Sequence, residues 1–143
     1  MDELKKLTNL IGTDYLSGKI TKNNFVKMVK ASRKVNIELA SFLLSQRWYS
    51  GLSEYIVSEI LNITNLDSKI MLGELTIDEC KNLYTVIMDI INKSYKCGGY
   101  NFTMPDGSIG NFNCEVYGKE FDSKNNKIIR EKYQTKYIYV KTN

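Results

Sequence analysis

The chain has 143 residues, 43% of them hydrophobic and 25% charged, which fits one compact globular unit and excludes a disordered or fibrous chain. Twenty Lys and Arg against 16 Asp and Glu give a formal charge of +4, which permits an anionic partner without demanding one. The absence of histidine excludes His-based triads and His-ligated zinc, and three scattered cysteines (Cys80, Cys97 and Cys114) cannot make a four-thiolate zinc site.

With no Cys-x-x-Cys pair, the odd cysteine count points to a reduced, cytoplasmic setting. The N-terminus lacks the basic start and apolar run of a signal peptide, and no apolar segment approaches the roughly 20 residues that span a bilayer. Neither Gly-x-x-x-x-Gly-Lys-Ser/Thr nor Gly-x-Gly-x-x-Gly occurs. The sequence therefore offers no catalytic, cofactor-binding or metal-ligating residue.

In chain order, Leu4, Leu7, Ile11 and Tyr15 recur at helical spacing and predict a first helix over 2–17, stopped by Gly18. Thr21 is a candidate N-cap for a second helix, about 22–33, with Phe25, Met28 and Val29 inward. Asn36 can cap a third over 37–49, and Ser53 a fourth over 54–63 that buries Ile56, Val57, Ile60 and Leu61. Residues 64–75 read as irregular, with Ile70, Met71, Leu72 and Leu75 as a hydrophobic tuck. Thr76-Ile77-Asp78-Glu79 is a capping box. It opens a fifth helix over 77–96 with an apolar stripe of Cys80, Leu83, Tyr84, Ile87, Ile90 and Ile91.

Three strands are expected next. Met104-Pro105-Asp106-Gly107-Ser108 has hairpin-turn chemistry between strands at 99–104 and 108–118, with Tyr100 opposite Phe112. A second turn at 122–126 leads to a third strand over 127–140, whose alternation breaks near Ile138 and suggests a bulge. The expected fold is α+β: an N-terminal bundle of about five helices (1–97), then a three-stranded antiparallel C-terminal β-meander (98–143) packed on the last long helix.

Charge is the main functional signal. No acid lies between Asp14 and Glu38, while Lys19, Lys22, Lys27, Lys30, Arg33 and Lys34 give six positive charges there. Lys27, Lys30 and Lys34 fall on one stripe of the second helix, which suits phosphates or an acidic protein surface. Arg130, Lys132 and Lys136 form a second basic face on the third strand, with tyrosines expected on the opposite face. Arg47 lies beside Trp48 and Tyr49 at a helix end.

A small, His-free chain rich in Lys, Asn, Ile and Tyr, without a catalytic signature, resembles the small accessory proteins of phages and mobile elements, among them anti-CRISPR proteins. That resemblance implies a non-enzymatic binding protein whose basic surface engages and inhibits an acidic or nucleic-acid-loaded host protein complex. Its partners would be a protein, a protein–nucleic acid complex or nucleic acid directly, and no membrane. One alternative is a DNA-binding transcriptional regulator using the second and third helices around the turn Ser32–Asn36. Another is a small carboxylate-based enzyme drawing on Asp106, Glu115, Glu120 or Asp122.

Overall fold

A computed structural model of the protein describes residues 13–31, 36–96, 100–103, 109–111 and 114–142. The hairpin turn at 104–108, Cys97, and the basic residues Arg33 and Lys34 lie outside the described residues.

The first expected helix is not seen where the chain is described. Thr13–Asp14 is a short strand, β1, and Tyr15–Ser17 a single 3₁₀ turn. Asp14 accepts the Leu16 amide at 2.7 Å, and Gly18 closes the turn at φ +77°, the left-handed region glycine tolerates. The next helix, α1 (Lys22–Ala31), starts as its sequence dictates: Thr21 Oγ1 accepts the Asn24 amide at 3.1 Å. Phe25 and Val29, four residues apart, are fully buried.

The third expected helix is cut to α2 (Leu39–Leu44), preceded by an extended Glu38 without a side-chain cap; Asn36 does not cap it. It stops because side chains capture the backbone beyond it. Ser45 Oγ accepts the Arg47 amide at 3.1 Å, and Gln46 accepts the Gly51 amide at 3.0 Å. The chain then forms β2 (Tyr49–Ser50), which pairs in parallel with β1. A helix of six residues, five of them buried, cannot serve as a recognition helix in a groove, so the helix-turn-helix reading fails on geometry.

The central element is α3 (Glu54–Thr64), in which every residue from Tyr55 to Leu61 is buried. A helix apolar nearly all round needs cover on all sides. It packs against α4 (Ile77–Lys96) and a C-terminal hairpin, and α1 covers the other side of α4. The tuck between them buries Leu72 and Leu75. The capping box on α4 forms in both directions: Glu79 N to Thr76 Oγ1 at 3.0 Å, and Thr76 N to Glu79 Oε1 at 2.9 Å. Among the described residues no helix is long and apolar enough to cross a membrane.

The α+β class holds, but the three-stranded meander does not. The antiparallel pair β3 (Tyr100–Thr103) and β4 (Ile109–Asn111) keeps the expected register at Thr103 opposite Ile109, then shifts by one residue to put Tyr100 opposite Asn111. The expected third strand is itself a hairpin, β5 (Ile128–Tyr133) and β6 (Lys136–Lys141), turning through Gln134 at φ +58°. Its main packing is of β6 on α3, where the last long helix was expected. The turn at 122–126 forms as expected, with Asp122 accepting the amides of Lys124 and Asn126 at 3.0 and 2.8 Å.

Candidate functional site

The hairpin turn changes what the basic residues touch. Residues paired across an antiparallel ladder share a face. The register Lys132↔Tyr137 and Arg130↔Tyr139 therefore puts cations and tyrosines together, contrary to the expectation that they oppose each other. The Arg130 guanidinium sits 4.4 Å from the Tyr137 ring centroid and the Lys132 ammonium 5.8 Å from it, both within cation–π range. Tyr139 meets Tyr117 edge-on at 5.0 Å. Arg130 and Lys132 are exposed and Tyr137 half-buried. The opposite face carries Ile138, fully buried, with Tyr133 and Val140 packed against the core.

Three contacts fix the hairpin in place. The Tyr139 amide donates to Ser58 Oγ on α3 at 3.0 Å. Ser68 Oγ donates to Glu131 at 2.6 Å. Lys136 Nζ donates to the Leu44 carbonyl at the end of α2, at 2.9 Å. Beside the hairpin tip lies a groove of about 670 Å³, lined by Ser41, Ser45, Gln46, Lys69, Lys132 and Lys136 among others. A second groove of about 500 Å³ runs along Gly51–Tyr55 at the start of α3 to Tyr117, and shares Gln46 and Lys136 with the first. Gln46 shapes both, since its amide group also donates to the Leu44 and Leu52 carbonyls at 3.2 and 3.4 Å. Gly51, at φ +106°, leaves room for Asp14; a Cβ there would come within 3.0 Å of Asp14 Oδ1.

The sequence did not single out Glu59. This carboxylate is buried on α3 and accepts the backbone amides of Glu115, Val116 (3.1 Å) and Tyr117 (3.0 Å), clipping the segment that carries Tyr117 to the helix. Burial pushes its pKa above the usual carboxylate value, and the three amide donors pull against that shift. The available signal was its phase, three residues after Ile56 and one before Ile60, which places an acid on the inward stripe.

The other expected site residues divide. Lys19, Lys22 and Lys27 are exposed around α1. Lys30, expected on the same stripe, turns inward and donates to the Leu75 carbonyl. Arg47 stacks on Trp48 at 5.7 Å, and Trp48 on Phe42 at 5.8 Å. Of the carboxylates, Asp106 lies outside the described residues. Glu115 accepts the Ser123 amide at 2.8 Å together with the Ser123 hydroxyl, and these bonds hold its pKa below the usual range. Asp122 is lowered likewise by Asn126. Both acids shape loops, and each is engaged by backbone and side-chain donors of its own loop.

An α+β arrangement with a buried central helix and a braced C-terminal hairpin recurs in solved structures. The solved structure of MutM (Fpg) from Thermus thermophilus superposes on 96% of this chain and 55% of its own, at TM-score 0.83 and 21% identity. A complex of Lactococcus lactis Fpg with DNA containing an abasic site covers 96% of this chain and 52% of its own, at TM-score 0.79 and 23% identity. In sequence, the formamidopyrimidine-DNA glycosylase of Lactobacillus delbrueckii subsp. bulgaricus is 31% identical over 96 residues, 64% of this chain and 35% of the relative. That of Glaesserella parasuis is 25% identical over 103 residues, 68% of this chain and 38% of the relative. No protein-family model matches. The chain thus spans about a third of the length of these curated relatives and about half of the solved structures.

These matches overturn the anti-CRISPR-like inhibitor, and with it the transcriptional regulator. They also overturn the reading of the chain as non-enzymatic, because its relatives carry the name of an enzyme. The composition profile misled because it reports what a sequence lacks, and many unrelated proteins lack the same things.

Proposed function

We propose that this chain is the DNA-holding portion of a formamidopyrimidine-DNA glycosylase-type protein, and that its partner is duplex DNA. The observation that carries the reading is the agreement of two comparisons: the sequence relatives and the fold neighbours are the same enzyme group. The geometry supports it. Phosphates are met by exposed cations, and the hairpin offers Arg130 and Lys132, the latter lining a groove where Lys69 and Lys136 stand with Glu38 and Glu131. In the whole protein, the activity served would be that of a formamidopyrimidine-DNA glycosylase.

The test is fluorescence anisotropy of the chain with a duplex of about 24 base pairs containing an abasic-site analogue, titrated against salt. Binding should weaken steeply with salt, and the Arg130→Ala/Lys132→Ala variant should lower the slope of log K on log salt by about 2, since each neutralised phosphate contributes about 0.9. Salt-independent binding, or no binding, would refute the reading.

A further inference from the structure

A second basic surface lies away from the hairpin. Lys19 and Lys27 line one open cavity of about 450 Å³ at α1, with Asn24 beside them and Ile20, Met28 and Ala31 as its apolar wall. Tyr49 forms the inner edge, its hydroxyl donating to the Asn24 carbonyl at 3.3 Å. Lys22, one turn away on the same helix, is exposed. Among the described residues, no ion pair involves Lys19, Lys22 or Lys27. Asp14, the nearest acid along the chain, has Oδ1 engaged by the Leu16 amide. The positive potential here is therefore not cancelled locally, whereas Lys30 is diverted to the Leu75 carbonyl.

The position of this cavity gives it a use. Tyr49 borders it, and Gly51 borders the groove at the start of α3. One residue, Ser50, separates them, a span of at most about 7 Å of backbone. The two depressions flank a single loop, and that loop is held by Gln46 and by the β1–β2 pairing. An acidic polypeptide could also meet isolated lysines. A cavity one residue of chain away from a groove that reaches Tyr117 and Lys136 is better matched to a rigid polyanion with regularly spaced charges.

We infer that the phosphate track does not end at the α3 groove but crosses the 46–53 loop onto the α1 cavity, where Lys19 and Lys27 take phosphates of the flanking duplex. The inference rests on the DNA-holding reading and adds to it a second contact region, which lengthens the footprint.

Duplexes of about 12 and about 24 base pairs, both carrying the abasic-site analogue at the centre, separate the two ideas when titrated against salt. Wild type, Lys19→Ala/Lys27→Ala and Arg130→Ala/Lys132→Ala are compared, with circular dichroism confirming that each is folded. On the longer duplex, Lys19→Ala/Lys27→Ala should lower the salt slope by about 2 and weaken binding at low salt by about tenfold, with no change on the shorter one. An unchanged slope on the longer duplex in that variant, with the hairpin variant still impaired, overturns the extension and leaves the DNA-holding reading standing. Equal loss on both duplexes puts the lysines in the primary groove and also overturns the extension. Full binding by the hairpin variant, or none by wild type, defeats the reading beneath it. Polyglutamate bound through Lys19 and Lys27, with duplex binding intact in their absence, would assign the surface to an acidic polypeptide instead.

Discussion

Glu59 sits where an amphipathic helix ordinarily places an aliphatic side chain, and its carboxylate answers three consecutive backbone donors. Without it, the buried Val116 amide would lie against α3 without that acceptor, and an unsatisfied buried donor costs about 1–3 kcal/mol. Glu59→Ala should therefore destabilise the fold by about 3 kcal/mol, read as a lower urea midpoint at unchanged m-value. The acid's inward phase was legible from Ile56 and Ile60. Its partners were not, because they lie 56–58 residues further on and no periodicity links them. The hydrogen bond between Tyr55 and Ser94, 2.5 Å long and buried, was hidden for the same reason.

Among the elements, those with their own end signals were the most readable. Thr21 and the Thr76–Glu79 box start α1 and α4 as their side chains dictate, and the Asp122–Asn126 turn closes on its own carboxylate. The β5–β6 turn left almost no mark, since Gln134-Thr135 contains neither Gly, Asn nor Pro. Only the shift of the apolar set near Ile138 recorded it, and a bulge gives the same shift. The loop leading to this hairpin is pinned by Glu115 on Ser123, which makes its attachment acid-sensitive. Because the folded-state pKa of Glu115 is lowered, its contribution is present above the usual 4.5 and is lost as pH falls through the depressed folded value. The difference in Tm between wild type and Glu115→Ala should be constant near neutrality and close on acidification below 4.5.

Across the whole molecule, α3 is the shared surface. It touches α2, α4 and β6, and its side chain at position 59 holds the 114–117 segment. Ile60, fully buried at its centre, should lose about 2–5 kcal/mol on replacement by alanine, from the methyl groups removed and the void left behind. Far-ultraviolet and near-ultraviolet dichroism should fall together in that variant, as expected if helices and hairpin unfold as one body. Such dependence on a single helix also explains how a chain of this size orders β5 and β6, which form a sheet of only two strands and need a helix to pack against.

The stack of Arg130 and Lys132 on Tyr137 has a consequence for association. Long cationic side chains usually surrender rotamer freedom when they meet a polyanion, about 0.5–1.5 kcal/mol for each one immobilised. Two cations already leaning on an aromatic ring have yielded part of that freedom in the unbound protein, so less entropy remains to be lost at the moment of contact.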